Sequence, residues 1–396
     1  MIDFLSHETQ ANPYATLSLM REKFPVCQIE PGNAWALTRY HDAQYALKRH
    51  DLFSAAGVKS IVAPDWLAPD CRRELFLATE DPPEHTPHRD LVNKAFVSGV
   101  INSLIPLMRK AAQQLLDQIF EKPSPCEFME DFSFPYTDTV INSIIGISDQ
   151  QKVDDIRQWV HALENLTIVR PSDSEVAVLE SATRHQTKIL TNIINDRREK
   201  PRDDFVTKLV NSPTEGFELT DKILVNILDM LITAGYMTTV HILGNTVLQL
   251  SRHPDLIVFL QNNPDMVPNL VEEILRLYSP LLCTLRKTTE PITLHDTVIP
   301  NDAIVLIYTA AANRDPRVFA NPDEIDLNRP NIKDHIAFGS GAHVCIGLGL
   351  ARLEIKIAVE TILQNVNTIQ CPADSELHWR HSMVLRGLKS LPVHFI

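Results

Sequence analysis

The sequence predicts a mainly α-helical protein with a small β region. Apolar residues recur at helical spacing in four successive segments, near residues 101–120, 136–148, 150–167 and 176–199. A longer helical pattern runs from Asp221 to Arg252 and is apolar on nearly all sides, which is typical of a helix that crosses a protein interior. Strand patterns are few and short. Together these patterns favour one large helical domain.

The first predicted elements are two helices around a small hairpin. A helical pattern follows Asn12-Pro13-Tyr14, and a second helix is predicted for His41–Arg49. Between them, the extended segments Val26–Ile29 and Trp35–Thr38 flank a turn at Pro31-Gly32-Asn33. The β region therefore begins close to the start of the chain.

Residues 55–80 have no regular period, because glycine and prolines interrupt it. This segment is either a plain surface loop or, given its apolar members, a loop that covers an apolar ligand. Short β segments are predicted within residues 287–310, and a hairpin is predicted for Ser382–Gly387.

The long apolar helix has clear end signals and an unusual middle. Thr220 is its predicted N-cap, and His253-Pro254 closes it. Its middle carries the sequence Ala234-Gly-Tyr-Met-Thr-Thr239. The small residues would let a flat cofactor approach the helix, and a threonine hydroxyl there can bond the carbonyl four residues earlier and bend the helix.

Composition sets limits on the class of protein. The 396 residues contain no Gly/Ser linker, repeat or block of like charge, so we expect a single domain over residues 1–396. The net charge of −13 disfavours nucleic acid or an anionic membrane as a partner. The sequence shows no apolar run of membrane-spanning length and no signal-peptide pattern, and its six cysteines are widely spaced. We therefore expect no membrane attachment and a reduced, cytoplasmic environment.

The most informative stretch is Phe338-Gly-Ser-Gly-Ala-His-Val-Cys-Ile-Gly347, which precedes another apolar helical segment. A thiolate from Cys345 would make an electron-rich axial ligand for haem iron. Glycines allow tight turns and close approach to a flat macrocycle. The N–H groups and dipole at the start of the next helix would stabilise the sulfur as an anion. The alternative is that Cys345 is an ordinary buried cysteine.

This loop resembles the cysteine-ligand loop of the cytochrome P-450 family of haem-thiolate monooxygenases, of the soluble bacterial type. The resemblance extends over residues 12–395. It implies the P-450 fold, in which the long central helix and the cysteine loop enclose haem b (iron protoporphyrin IX). Within the loop it assigns Phe338, His343, Cys345 and Gly347 to cofactor binding, with Cys345 as the metal ligand.

Two further segments supply candidate partners for the haem propionates. His85 and Arg89 lie four residues apart, on one face of a helix that Pro82-Pro83 would start. The resemblance makes both residues propionate contacts, together with Arg286 and His343. A solvated surface pair is the alternative for His85 and Arg89.

The resemblance also implies an oxygen-binding groove in the central helix. It assigns Ala234 and Gly235 to cofactor binding and Thr238 to the hydroxyl that contacts oxygen. Met237 stands where the family usually has Asp or Glu, so the source of protons for oxygen activation is open. One turn later, His241 is our hypothesis for a residue that feeds a proton relay through water. The alternative is that its ring packs beside a neighbouring helix.

Glu273 and Arg276 form a Glu-x-x-Arg pair, a spacing that helices commonly show. The same spacing occurs by chance at Glu199 and Arg202. The resemblance favours the first pair, because of its position ahead of Cys345. It implies that Arg329 completes the cluster and that the cluster holds the cysteine loop.

The resemblance implies a mostly apolar substrate pocket and separate redox partners. The pocket would suit a terpenoid, acyl or polycyclic natural product of secondary metabolism. Electrons would come from a ferredoxin or flavodoxin that docks near Cys345, and we expect a monomer. Basic docking contacts are predicted at Lys333, Arg352 and Lys356, and the predicted pocket residues are Val62, Leu77, Met230, Leu281, Thr284, Met383 and Val384.

The expected reaction is activation of O₂ on haem and insertion of one oxygen atom into the substrate. Because Met237 replaces the usual acid, a haem-thiolate enzyme with peroxide-driven or non-oxygenase chemistry is the second hypothesis. A non-enzymatic haem sensor or carrier is the third. Thr238 argues against the third, since a sensor needs no oxygen-activating hydroxyl.

Overall fold

A computed structural model of the chain describes the following residues: 2–74, 76–96, 98–164, 171–214 and 217–396. By its internal contacts the chain divides into two compact units. The prediction of a single domain stays a prediction. The first unit contains Met1–Phe53, Ile105–Thr137 and Thr238–Ile396, and the second contains Ser54–Leu104 and Asp138–Met237.

Helices dominate both units, as the apolar periodicity predicts. The α-helices in chain order are α1 (His7–Ala11), α2 (Pro13–Lys23), α3 (Tyr40–Lys48), α4 (Lys59–Val62), α5 (Phe76–Thr79), α6 (His85–Ala95), α7 (Ser98–Ser103), α8 (Ile105–Phe120), α9 (Phe134–Ile145), α10 (Gln150–Glu164), α11 (Asp173–Glu199), α12 (Phe205–Val210), α13 (Asp221–Arg252), α14 (Pro254–Asn262), α15 (Val267–Tyr278), α16 (Thr309–Ala312) and α17 (Leu348–Asn365).

The strands are short. The largest sheet has six of them in the order β1-β2-β3-β9-β6-β4, and the smaller sheets have the orders β10-β11-β5 and β7-β8. The strands are β1 (Ile2–Asp3), β2 (Val26–Glu30), β3 (Ala34–Leu37), β4 (Phe53–Ser54), β5 (Cys126–Glu127), β6 (Thr284–Thr288), β7 (Ile292–Leu294), β8 (Thr297–Ile299), β9 (Ile304–Ile307), β10 (Ile369–Gln370) and β11 (Pro392–Phe395).

Helix α13 begins and ends at the residues predicted for it. The N–H of Ile223 donates to Oγ1 of Thr220 at 3.3 Å, which satisfies one of the amide groups left open at a helix start. Its length and composition would also suit a membrane span, but 61% of its most apolar window is buried inside the protein. The core helix of a folded protein meets the same criteria.

Most predicted segments match elements of the structure to within a few residues, and one differs in kind. The segment predicted as one helix over 101–120 is two helices, α7 and α8, which meet at Leu104. Before α9 the chain forms a π-helical turn over Met129–Ser133. The end of the segment predicted as helical over 150–167 lies outside the described residues.

The first unit contains an apolar core against the large sheet. Strand β3 pairs in parallel with β9, placing Ala36 beside Leu306, and β9 pairs antiparallel with β6. Side chains from these strands pack with α2 and with residues around Leu282. Strand β6 and the chain before it are therefore fixed by the core.

Candidate active site

Cys345 lies at the end of a tight loop in the first unit. Its backbone N–H donates to the carbonyl oxygen of Phe338, 2.8 Å away, and the residue is exposed. Gly341 has a φ of +75°, and a Cβ there would lie 2.7 Å from the carbonyl oxygen of Leu47, so the turn requires glycine. Gly347 is the N-cap of α17, and a Cβ on it would lie 3.9 Å from the Cys345 sulfur. The sulfur therefore lies close to the start of α17, where the amide groups are not used within the helix.

The buried carboxylate of Glu272 forms hydrogen bonds with two side chains that lie near the Phe338 ring. Arg352 of α17 donates two hydrogen bonds to Glu272, at 2.6 and 2.9 Å, and its guanidinium lies 4.7 Å from the centroid of the Phe338 ring. Nε2 of His335 is 2.9 Å from the same carboxylate. Burial raises the pKa of Glu272, but hydrogen bonds from His335 and Arg352 outweigh it and bring the pKa down to about 2. Glu272 therefore offsets the charge of Arg352, which the sequence had suggested as a docking contact.

The Glu-x-x-Arg pair is present and fully buried. Arg276 donates to the two carboxylate oxygens of Glu273 at 2.7 and 2.8 Å, and Arg329 donates to Glu273 at 3.1 Å. Arg276 also donates to the carbonyl oxygen of Asn313 at 3.0 Å. The side chain of Asn313 accepts the N–H of Ile336 at 2.7 Å, two residues before the cysteine loop. The cluster is thus connected to the start of that loop.

Helix α13 is largely buried, but its middle has small residues on a face that is less buried. Ala234 is exposed, and Thr238, one turn later on the same face, is half-buried. Gly235 also makes room for another helix, because a Cβ there would lie 2.8 Å from Cδ1 of Ile141 on α9, and its role in cofactor binding stays a prediction. Its small size makes room for packing between these two helices. Met237 is buried.

A residue that the sequence did not indicate stands beside this part of the helix. Oγ1 of Thr239 donates to Oε2 of Glu354 on α17 at 3.0 Å, and Glu354 is only 2% exposed. Burial raises the pKa of Glu354 to about 8, and the hydrogen bond from Thr239 opposes this only in part. The helical spacing in the sequence does indicate that this glutamate is buried. Glu354 falls four residues after Leu350 and three before Ile357, on the apolar face of its helix.

His241 is fully buried, and its ring packs against Gly387. A Cβ on Gly387 would lie 2.3 Å from ring atoms of His241. Gly387 belongs to the predicted C-terminal hairpin, where its carbonyl oxygen accepts the N–H of Arg380 at 2.8 Å. His241 therefore packs against this hairpin. Its part in a proton relay stays a prediction.

The four candidate propionate contacts are divided between the two units, with two residues in each. In the second unit α6 begins at His85, and Arg89 follows one turn later. Burial lowers the pKa of His85, and the charge of Arg89 lowers it further. In the first unit Arg286 is buried on β6 and donates to the carbonyl oxygen of Leu285 at 2.7 Å, while His343 is half-buried in the cysteine loop. Their binding of propionates stays a prediction.

The irregular segment over residues 55–80 is bound to helices of the second unit rather than lying loosely on the surface. Arg73 forms an ion pair with buried Asp229 of α13 and donates to Oγ1 of Thr233 at 2.7 Å. The N–H of Ala68 donates to Oε1 of Glu180 on α11 at 2.7 Å. These bonds fix the segment against α11 and α13.

The predicted pocket residues differ widely in exposure. Leu281 is 38% exposed and Thr284 and Val384 are half-buried, so a ligand could reach these side chains. Leu77 and Met230 are buried in the second unit, and the side chain of Val62 lies outside the described residues. Met383 is 3% exposed and packs in the apolar core of the first unit. That Met383 and the other six residues line a substrate pocket stays a prediction.

Comparison with known proteins gives one consistent result. Residues 2–390 match the profile of the family described as Cytochrome P-450. The chain belongs to the cytochrome P-450 family. It is 33% identical to the polyketide biosynthesis cytochrome P-450 PksS of Bacillus subtilis (strain 168), over 98% of this chain and 96% of that one. It is 30% identical to the cytochrome P-450 monooxygenase PikC of Streptomyces venezuelae, over 99% of this chain and 93% of that one.

The fold is likewise that of the family. The structure of cytochrome P-450 CYP109Q5 from Chondromyces apiculatus aligns with a TM-score of 0.91 at 31% identity, covering 100% of this chain and 98% of that one. This P-450 therefore has the mainly helical fold with a small β region that its sequence predicts. Membership of the family implies a haem cofactor and monooxygenase activity.

Proposed function

We propose that this P-450 binds haem b through Cys345 and hydroxylates or otherwise oxidises a small, largely apolar natural product. The observation that carries the proposal is the cysteine loop. Its exposed thiol stands beside the start of α17, and its glycine turn leaves no room for a Cβ. These residues fit a haem-thiolate site, because open amide groups at a helix start favour the thiolate form. Haem, when bound, supplies the activation of O₂ and the transfer of one oxygen atom to the substrate.

The chain's own residues would hold and orient this cofactor. His85, Arg89, Arg286 and His343 would bind the propionates, as charge-assisted hydrogen bonds to carboxylates are strong. Phe338 and Gly347 would line the sulfur side of the cofactor, and Ala234 and Gly235 the helix side. The hydroxyl of Thr238 would orient oxygen and pass on protons.

The name of PksS ties that relative to polyketide biosynthesis, which supports an acyl or polyketide-type substrate among the apolar candidates. Electrons would come from a separate ferredoxin or flavodoxin. We also propose a cytoplasmic location, which the six free cysteines support, and a monomer.

The thiolate ligand is tested by the spectrum of the reduced carbon monoxide complex. The parent should absorb at the thiolate position, Cys345→His should move the band, and Cys345→Ala should lose it. Cys371→Ala is the matched control, because Cys371 is also accessible in part but lies outside the loop. A normal thiolate spectrum in Cys345→Ala would contradict the proposal.

One observation favours a second candidate, which is peroxide-driven or non-oxygenase chemistry on the same haem. Position 237 holds a buried methionine in place of an acid that could supply protons. Turnover with a surrogate ferredoxin pair should exceed turnover with peroxide alone if the enzyme is a monooxygenase. The reverse order would favour the second candidate.

A further inference from the structure

Arg73 of the irregular segment is held by three side chains of the second unit. Its Nε forms an ion pair with Asp229 of α13. Its Nη2 donates to Oγ1 of Thr233, one turn further along that helix, at 2.7 Å. The guanidinium carbon lies 5.2 Å from the centroid of the Trp159 ring on α10, which is within the range of a cation–π contact. The guanidinium is therefore fixed in position and orientation before any ligand binds.

The carboxylate opposite Arg73 has both of its oxygens bonded. Oδ2 of Asp229 accepts from Arg73, and Oδ1 accepts from Nε2 of Gln186 on α11 at 3.1 Å. Asp229 is only 4% exposed. Burial raises the pKa of Asp229, although Arg73 and Gln186 oppose this effect. The anion at this buried position is thus stabilised by Arg73, and the pair as a whole has no net charge.

One nitrogen of this guanidinium is not used by the protein. Nη1 of Arg73 makes no hydrogen bond with the residues that the structure describes, and it is not among the fully buried atoms without a partner. The Arg73 side chain is 11% exposed, and this small accessible part therefore includes Nη1. A guanidinium can donate from each of its nitrogens. Nη1 is accordingly a fixed donor that an acceptor from outside the protein can reach.

This donor lies beside the part of α13 on which the predicted pocket residues fall. Thr233, which bonds Arg73, follows the predicted pocket residue Met230 by three positions. Ala234 follows Met230 by four and is exposed. Residues three and four apart are neighbours on a helix surface, so the three side chains occupy adjoining positions. A polar donor is therefore placed at the edge of a surface where the substrate is expected to be apolar.

We propose that Arg73 is a specificity-determining residue, which donates from Nη1 to a neutral oxygen of an otherwise apolar substrate, such as that of a ketone, an ester or an alcohol. This inference rests on the proposed function, and it adds the polar group that the substrate carries. A hydrogen bond from a charged donor is stronger than one between two neutral groups. A pure hydrocarbon would cover the donor without pairing it, which costs the desolvation of that group.

The same pair disfavours a carboxylate as the acceptor. Asp229 already offsets the charge of Arg73. An anionic substrate would place a second negative charge beside one guanidinium in a largely buried environment, which is costly. Asp229 is therefore a positioning residue that also sets the charge presented to the substrate. Loss of its charge should turn the preference of the site toward anions.

Binding to the haem-loaded protein is measured by calorimetry with probes in three matched forms: hydrocarbon, ketone and carboxylate. The acyl set is dodecane, methyl decyl ketone and dodecanoate. The terpenoid set is menthane, menthone and menthane carboxylate, and the polycyclic set is androstane, androstanone and androstane carboxylate. Within the sets that bind, the ketone should bind about tenfold or more tighter than the hydrocarbon and tighter than the carboxylate. Equal binding of ketone and hydrocarbon, or tightest binding of the carboxylate, would overturn the proposal.

Two substitutions separate this role from a merely structural one. Arg73→Leu should make the ketone and the hydrocarbon bind alike. Asp229→Asn keeps the shape of the side chain but leaves the guanidinium charge without an anion, so it should raise the affinity of the carboxylate relative to the ketone by about tenfold or more. Arg184→Leu and Asp70→Asn are the matched controls. They make the same changes in an ion pair that also joins this segment to α11 but is exposed, and they should keep the order of affinities of the parent.

An unchanged preference for the ketone in Arg73→Leu would overturn the proposal. If that variant does not fold, the order of affinities in Asp229→Asn decides alone. Equal weakening of all three forms in Asp229→Asn would mean that the pair only supports the fold. Failure of the haem-thiolate function would show differently, because the parent would lack the thiolate spectrum with carbon monoxide while calorimetry would still report the preference for the ketone.

Discussion

Two buried glutamates of this P-450 are driven to opposite protonation states by their partners. Burial raises the pKa of Glu273, but Arg276, the N–H of Asp326 and Arg329 outweigh it and hold that pKa below its ordinary range. The side chain of Glu354 has only a neutral hydroxyl as its partner, so the effect of burial is the larger one and its pKa is raised. The first residue is therefore a fixed anion that shapes the fold, whereas the second is an acid that can lose its proton.

The raised pKa of Glu354 predicts a pH-dependent stability difference. The folded protein keeps this proton up to a pKa of about 8, whereas an unfolded chain loses it near 4.5. Between these values the folded state binds the extra proton, so the contribution of Glu354 to stability falls as the pH rises. Glu354→Gln does not titrate. As the pH rises from about 5 to about 8, the melting temperature of Glu354→Gln should therefore rise relative to that of the parent. Circular dichroism measures both melting temperatures.

The exposed Glu199→Gln is the control for the loss of one carboxylate, and its difference from the parent should show no such trend. A constant difference between Glu354→Gln and the parent across the whole range would mean that Glu354 is already ionised in the folded protein.

Gly387 should be essential for packing against His241. Gly387→Ala would place a Cβ 2.3 Å from a rigid, fully buried ring, so ring or hairpin must shift. We expect a loss of about 1–3 kcal/mol in the free energy of unfolding, measured by denaturant titration. Gly99→Ala is the matched control, because nothing lies within 4 Å of a Cβ there and the residue is helical. That variant should be neutral or slightly stabilised. Equal losses in the two variants would mean that the contact with His241 is not tight.

At the scale of the element, local signals explain which parts of the fold were predictable. The bounds of α13 follow from Thr220 and His253-Pro254, which act within one helical turn. The parallel pairing of β3 with β9 joins residues some 270 positions apart, and no local pattern encodes it. The same limit explains the site. A glycine turn and a cysteine are visible locally, but the contact between Thr239 and Glu354 depends on how α13 packs against α17.

The ion pairs of Glu273 with Arg276 and Arg329 should contribute strongly to the free energy of unfolding. Glu273→Gln leaves two buried guanidinium groups, of Arg276 and Arg329, without a carboxylate. Breaking one partner of a buried ion pair costs about 3–5 kcal/mol. We expect a lower melting temperature and, through Asn313 and Ile336, a weaker thiolate band in the reduced carbon monoxide spectrum.

The control for this cluster is the exposed pair of Arg49 and Asp51, whose side chains are 43% and 53% accessible. Asp51→Asn should leave both the melting temperature and the spectrum unchanged, because solvent screens such pairs. If Glu273→Gln has the same melting temperature as the parent, the carboxylate of Glu273 is not needed for stability.

At the scale of the whole molecule, charge governs how a redox partner approaches. The net charge is −13, so an acidic redox partner, such as the proposed ferredoxin or flavodoxin, would be repelled by the molecule as a whole. Attraction must come from local basic side chains. Of the three predicted near Cys345, Arg352 is bonded to Glu272 and Lys356 to Glu360. Lys333 is exposed, two residues before His335, and is therefore the strongest remaining candidate contact.

Reversing this charge should weaken partner docking without affecting the chemistry. We expect Lys333→Glu to raise the ferredoxin concentration needed for half-maximal turnover, while the rate at saturating ferredoxin stays the same. The effect should shrink as salt is added, because the Debye length falls from about 10 Å at 0.1 M to about 3 Å at 1 M. Lys152→Glu is the matched control, since it makes the same charge change at an exposed lysine of α10 in the other unit. If both variants respond alike, total charge rather than a local contact controls docking, and Lys333 is not part of the interface.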